Sequence, residues 1–262
     1  MNPQFCLLDM DGTYQQQDFY TDHCFEWLDM TAIRQKRRLC DMRAQGLMRR
    51  KLAERESRGL TFIGSNHYHY VTLFLLEEIK QPFTLILFDH HSDALPPPTA
   101  NLLSCGSWLR TAWCHLPSLQ QVVLIGCDRR RSPVCLPQRN GCSLCQLDKT
   151  SFSRDDRCNR QLIQKIIGRR VYISIDKDVL ARQYAETPWD QGNMTLSQLT
   201  GLISRISQIA LMAGCDICGE PDVDRAGNLY AAAAAMARNN QTNQAILQTL
   251  LQTDLISPHR AG

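Results

Sequence analysis

Residues 83–93 read FTLILFDHHSD. The run Phe83–Phe88 is apolar or β-branched throughout, without the alternation of a half-solvated strand. Strands of that kind belong in parallel sheets whose two faces are both covered by helices. The run ends abruptly in Asp89, His90, His91 and Asp93. In open α/β sheets ligands bind in the crevice outside the carboxyl ends of the strands, so this exit is the natural place for chemistry. Residues two apart point to the same side of an extended chain, so Asp89, His91 and Asp93 converge while His90 faces away.

Working outward, similar runs recur at Phe5–Leu8, Thr61–Gly64, Val122–Gly126, Val171–Ile175 and Leu211–Ile217. Between them lie stretches with helical spacing of apolar residues, at Val71–Ile79, Arg160–Ile167, Leu196–Ile209 and Tyr230–Leu251. Strand alternating with helix predicts βαβ units and a doubly wound, mainly parallel sheet in a three-layer α/β/α arrangement. No linker or low-complexity tract interrupts the pattern, and the proline-rich Pro96–Thr99 is too short to separate domains, so residues 1–262 are expected to form one domain.

The composition suits a soluble folded chain: 262 residues, 44% of them hydrophobic, with 29 Lys+Arg against 26 Asp+Glu. No stretch approaches the roughly 18–20 uncharged apolar residues that cross a bilayer. The amino-terminal MNPQFCLLDMDG carries acids within its apolar run instead of a basic segment, which points to the cytoplasm. Twelve scattered cysteines fit a reducing compartment. One subset, Cys135, Cys142, Cys145 and Cys158, has spacing that a zinc ion in a loop could use, though it matches no common finger; incidental thiols are the blander reading. The basic segment Arg34–Arg58 interleaves Ile33, Leu39, Met42, Leu47 and Leu52 at helical spacing. That predicts one or two amphipathic helices with a solvated basic face, and no nucleic-acid partner, since no aromatic stacking platform accompanies the charge.

Two further strand exits carry metal-type ligands. VYISIDKD, residues 171–178, places Ser174, Asp176 and Asp178 on one face by parity, and FIGSNHYHY, residues 62–70, carries His67 and His69 just past a strand and a Gly64 turn. So many carboxylates at the ends of hydrophobic strands repel one another unless a cation offsets them. Carboxylate and imidazole ligands without thiolate favour a hard or borderline divalent ion such as Mn2+, and aspartates placed to bridge favour a pair. A competing motif is LDMDGT, residues 8–13, which fits the DxDGT opening of haloacid dehalogenase-like phosphatases, with Asp9 as nucleophile and Asp11 as acid/base. The adjacent acidic pair that chemistry also needs, Asp155 and Asp156, has no strand before it, so Asp9 and Asp11 are expected to be strand-end and turn residues.

DHHSD resembles the DAHxD signature of the ureohydrolases (arginase, agmatinase and formimidoylglutamase), SIDKD resembles their SxDxD, and GSNHYHY stands where that family carries GGDHS. The order and separations agree from Thr61 to at least Glu220. The resemblance implies an arginase-like fold, a binuclear manganese centre with two Mn2+ per chain, and hydrolysis of a guanidino, amidino or formimino small molecule, in a chain that could assemble as a homo-oligomer. Carried over by position, Asp89 and Asp176 bridge the ions, Asp93 and a turn histidine complete one, and His91 with Asp178 complete the other. Counting from the glycine of GGDHS selects His67, whereas an arginase-like subgroup sharing FDHHSD, LLSCGSW, SIDKDV and CDICGE selects His69. Two departures stand out. Val179–Arg182 replace a further Asp and Pro of the family, and Cys105 before Gly106 stands where arginases carry a proton-transfer histidine. Glu220 is the nearest acid to the family's guanidinium-binding glutamate. The resemblance leaves room for a metal-binding relative without catalysis, and for a deacetylase-like hydrolase with one zinc.

Overall fold

The computed structural model describes residues 4–127, 134, 136–147, 156–222 and 229–253. Ten strands form, β1 Phe5–Asp9, β2 Phe25–Asp29, β3 Leu39–Asp41, β4 Leu60–Gly64, β5 Phe83–Phe88, β6 Leu102–Ser104, β7 Leu119–Ile125, β8 Ser143–Leu147, β9 Arg170–Asp176 and β10 Leu211–Cys218. Six α-helices accompany them: α1 Met42–Ala53, α2 Val71–Leu76, α3 Trp108–His115, α4 Asp156–Ile166, α5 Leu196–Ile209 and α6 Leu229–Leu251.

Eight strands make one sheet in the order β2-β1-β4-β10-β9-β5-β7-β8, parallel at every pairing. The side chains divide by parity. Leu8, Ile63, Leu85, Leu87, Val122 and Leu124 bury one face under α1, α2 and α3. Leu7, Phe62, Ile86, Phe88, Ile173 and Ile175 bury the other under α4, α5 and α6. The three layers expected from unalternating strands are therefore present, and the central strands are apolar because both of their faces are dry.

The chain passes from β4 to β5 over the places that β10 and β9 later fill. Register pairs Cys218 with Gly64 and with Asp176, and Phe88 with Ile175, so the carboxyl ends of these four strands lie level. That gap is where an open sheet offers a crevice.

The short β2 and β8 close the two sheet edges, and β3 pairs antiparallel with β6 apart from the main sheet. None of the four was legible as a strand, because partly exposed edge sequences such as FEWLD and SLCQL lack a continuous buried run. The basic segment 34–58 contains a helix as expected, but its basic face departs from expectation. It holds one helix, α1, capped by the Asp41 carboxylate on the amide of Ala44, preceded by a loop and β3. Its charge is not all solvated: Lys36 is buried with its ammonium donating to the carbonyls of Met30 and Thr31, and buried Arg55 forms a bidentate pair with Glu78. The DMDGT stretch is a turn, with Asp9 accepting from Gly12 N and Gln15 Nε2 and Asp11 from Thr13. Of the proposed zinc group, Cys142 and Cys145 flank and enter β8, while Cys135 and the Cys158 side chain lie outside the described residues. Among the described residues no helix is long and apolar enough to cross a membrane.

Just after β7, Gly126 has φ +94°, and a Cβ there would lie 2.4 Å from Val179 Cγ2 and 3.3 Å from the carbonyl oxygen of Asp89. Backbone strain and overpacking together are expected to make Gly126→Ala about 2–5 kcal/mol less stable. Denaturant unfolding checks this, and a loss under about 1 kcal/mol would contradict the close approach.

Candidate metal centre

Each of the three strand exits delivers its ligands by a tight local turn. After β5, the Asp89 amide donates to Ile125 O at 3.1 Å, and Asp89 Oδ1 accepts the His91 amide at 2.6 Å. After β9, Asp176 Oδ1 accepts the Asp178 amide at 2.9 Å, which turns Asp178 back toward β5; there its Oδ1 accepts the His90 amide at 3.0 Å. After β4, Ser65 caps a 3-10 turn over Asn66–Tyr68 that sets His69 at its end. Asp93 adopts φ +49°, a left-handed conformation uncommon for a residue with a side chain, and its Oδ2 accepts Trp108 Nε1 at 2.6 Å.

These turns bring six side chains together. His69 Nδ1 lies 2.9 Å from Asp93 Oδ2, 3.4 Å from Asp89 Oδ2 and 3.5 Å from Asp176 Oδ2. His91 Nδ1 lies 2.9 Å from Asp178 Oδ2 and 3.7 Å from Asp89 Oδ1. Two three-residue groups with metal-ligand spacing share Asp89: one with His69 and Asp93, the other with His91 and Asp178. A third joins His69 and Asp176 to Cys218, the last residue of β10, which sequence reasoning had not singled out.

The electrostatics ask for a cation. Asp89, Asp176 and Asp178 are at most 3% exposed. Burial, then the charges of Asp93 and Asp178, hold the Asp89 carboxyl well above the usual carboxylate range. Burial, then the neighbouring Asp178, pushes Asp176 up to about 7. Burial alone would lower the pKa of His69, but Asp93, Asp176 and Asp89 raise it to about 10. His69 Nδ1 and Asp89 Oδ2 are both buried without a hydrogen-bond partner, although they face each other across 3.4 Å. Orphaned donor atoms amid oxygen and nitrogen ligands suit one or more hard or borderline divalent ions. His69 Nε2 sits 3.0 Å from Ser174 Oγ, which donates to Asp216 Oδ1 at 2.8 Å; Thr72 and Tyr172 also donate to that buried carboxylate. Asp216 lies within β10, two residues before its end, as a lone acid in an apolar run.

Above the cluster opens a cavity of about 450 Å³ lined by His91, Asp93, Asp176, Asp178 and Cys105, with Trp189 and Arg38 at its side. Asp190 Oδ1 caps His91 Nε2 at 2.9 Å. His67 is brought to another place: its Nε2 is 3.6 Å from Asp222 Oδ2, its ring meets Trp189 edge-on, and burial together with Arg38 and Arg37 pushes its pKa down to about 4. Of the two turn histidines, His69 meets the carboxylates. Cys105 reaches the cavity, but burial, then Asp93 and Asp176, pushes its thiol up to about 12, which is the reverse of a nucleophile's environment. Glu220 does not line the cavity. It is fully buried, paired with Lys177, and its oxygens also accept from Asn243 and Gln17, so the structure brings it to Lys177 and not to the cavity where the resemblance puts a guanidinium.

The Arginase family model matches residues 16–240. The chain belongs to the arginase family. This membership makes it a ureohydrolase relative and corrects the phosphatase alternative built on Asp9 and Asp11. An uncharacterised protein of Thermotoga maritima is 35% identical over 165 residues, 63% of this chain and 59% of that protein, so the match spans under two thirds of the relative. Among solved structures the fold is similar to the arginase of Bacillus caldovelox, with TM-score 0.59 and 15% identity over 94% of this chain and 98% of that one. It is also similar to a Trypanosoma cruzi formiminoglutamase variant described with Mn2+, with TM-score 0.62 and 9% identity over 93% of each chain.

In this arginase-family cluster, protons occupy the atoms that a metal ion would take. The folded pKa of His69 is raised, so in metal-free protein its contribution to stability is complete below about 6.5 and lost as pH climbs toward about 10. Asp176 is also raised, so its share is lost as pH rises from its ordinary 3.8 to about 7. A cation displaces these protons. Stabilisation by Mn2+, read as the difference between Mn2+-loaded and chelated unfolding free energies, is therefore expected to grow with pH between about 6 and 9, by about 1.4 kcal/mol per unit for each proton displaced. Stabilisation that is flat or falls with pH would place the ion elsewhere.

Proposed function

We propose that this arginase-like domain, spanning residues 1–262, is a binuclear manganese hydrolase that cleaves a non-peptide C–N bond in a guanidino, amidino or formimino small molecule. The observation that carries this reading is the convergence of Asp89, His91, Asp93, Asp176, Asp178 and His69 from three strand exits, with His91, Asp93, Asp176 and Asp178 lining one cavity. Asp89 stands between both histidines, which suits a bridging carboxylate, and Asp176, 3.5 Å from His69 and joined to Asp178 by its turn, suits the second bridge. His69 and Asp93 complete one position, and His91 with Asp178 the other. The Mn2+ found with the Trypanosoma cruzi relative supports the choice of ion. When bound, such a pair supplies hydroxide near neutral pH as a nucleophile for a trigonal amidine carbon.

The chain's own residues do the rest. Asp93 combines an oxygen 2.9 Å from His69 with a hydrogen bond from Trp108, and it lines the cavity. It can accept a proton there and hand it to the departing amine. Asp190 fixes the ring of His91 from outside. Cys105 stands where the family carries a proton-transferring histidine, and burial, the largest influence on its thiol, pushes it up, which suits a wall of the cavity. Proton traffic therefore falls on Asp93.

The experiment is elemental analysis of full-length protein reconstituted with Mn2+, alongside Asp89→Asn and Asp176→Asn, with ammonia or urea release measured on guanidino and formimino compounds. About two Mn2+ per chain are expected, falling below one in either variant together with loss of hydrolysis. Full manganese occupancy in either variant would sink the ligand assignment. Two bound ions with no release from any compound would leave a metal-binding module of the same fold.

A further inference from the structure

One wall of the cavity comes from the loop before α1, far in sequence from every ligand. Arg38 lines it, with φ +63°, a conformation unfavourable for a long side chain and often found where a residue is held for use. Two backbone hydrogen bonds hold it there: its amide donates to His67 O at 3.2 Å, and its carbonyl accepts from Cys105 N at 3.1 Å. The pairing of Leu39 with Ser104 continues that clamp into β3 and β6. Arg38 is thus tied to the turn that presents His69 and to the loop that carries Cys105.

Its guanidinium lies over the ring of Trp189, 5.1 Å from the centroid, and among the described residues it meets no carboxylate. Its neighbour Arg37, by contrast, pairs with Asp222. Stacking occupies the face of a guanidinium and leaves its edge N–H groups free, and that edge fits a carboxylate with two parallel hydrogen bonds. The remaining cavity wall near it is largely apolar, from Leu39, Leu95 and Pro98, while the other ionisable groups in the cavity are Cys105 and the metal-type ligands. Among the described residues Arg38 is thus the cation that lines this cavity without a carboxylate partner, and its stacking partner Trp189 meets His91 edge-on with 6.2 Å between ring centroids, so a substrate held at the metal-type ligands shares one largely apolar cavity with that guanidinium.

We propose that Arg38, stacked on Trp189, binds a carboxylate at the end of the substrate remote from the scissile C–N bond, so that this site takes guanidino, amidino or formimino acids rather than amines. This rests on the metal-hydrolase reading above and narrows its substrate class. A cationic tail would be repelled by Arg38, and an uncharged tail would leave the guanidinium half-buried without a partner.

The test is calorimetric binding of three probes to the Mn2+-reconstituted full chain: guanidinobutanoate, butylguanidine and agmatine, whose tails are anionic, neutral and cationic. Guanidinobutanoate is expected to bind about tenfold to a hundredfold more tightly than the other two, the range a charge-assisted pair supplies. Arg38→Asn, which tolerates the left-handed backbone, should erase that preference, and Arg38→Lys should restore part of it; the unfolding midpoint reports whether each variant is folded. Equal binding of the three probes by wild-type protein, or no binding of any, would overturn the proposal. A preference that survives in folded Arg38→Asn would do the same, because the carboxylate would then be sitting on the metal. Release of urea from the same probes is scored separately: tail-dependent binding without release removes guanidine hydrolysis from the proposed function and leaves Arg38 as the carboxylate site.

Discussion

Four carboxylates that must be buried side by side are the constraint on which the architecture turns. A parallel sheet places strand ends level, and the late insertion of β9 and β10 between β4 and β5 brings the ends that carry Asp176 and Asp89 next to each other. Without counter-charge, burial and mutual repulsion push the carboxyls of Asp89 and Asp176 up, and the surrounding carboxylates push His69 up, so the cluster favours bound protons. Those protons occupy the atoms that the proposed divalent ions would take. The tight Asx-type turns at Asp89 and Asp176 serve the same end, since each commits one oxygen to a backbone amide and aims the carboxylate at a fixed point.

Lys177 shows how far this constraint reaches. It stands between Asp176 and Asp178, and once those two face the cavity it is turned inward, under the sheet end, where it is fully buried. An ammonium there needs an anion, and Glu220 supplies it with help from Asn243. Gly219, at φ +102°, makes room, because a Cβ there would lie 2.8 Å from the Lys177 amide nitrogen. The acid that the resemblance offers as a substrate grip is thus engaged in the support of the strand that carries Asp176 and Asp178.

How much of this was legible follows from where each signal is carried. The central strands and most helices were legible because burial on both faces writes an unbroken apolar run. The ligands were legible because parity and a cluster of titratable residues at strand exits are local patterns. His67 and His69 could not be separated by spacing alone: a 3-10 turn, not a strand, carries them, so the rule of two does not decide which faces in. Asp216 and Arg38 were invisible for another reason. The first is a lone acid inside a strand and the second one arginine among many, and each gains its meaning from partners distant in sequence, Ser174, Tyr172 and Thr72 for Asp216 and Trp189 for Arg38.

The hydrogen-bond chain behind His69 carries one more consequence. Ser174 has a single hydroxyl hydrogen and gives it to Asp216, so toward His69 it can only accept. The Nε2 of the imidazole must therefore keep its hydrogen, and any proton surrendered when a cation arrives has to leave from Nδ1, the atom that faces the carboxylates. A mid-strand aspartate thus selects the tautomer of the ring, and the nitrogen lone pair is oriented before any ion is bound.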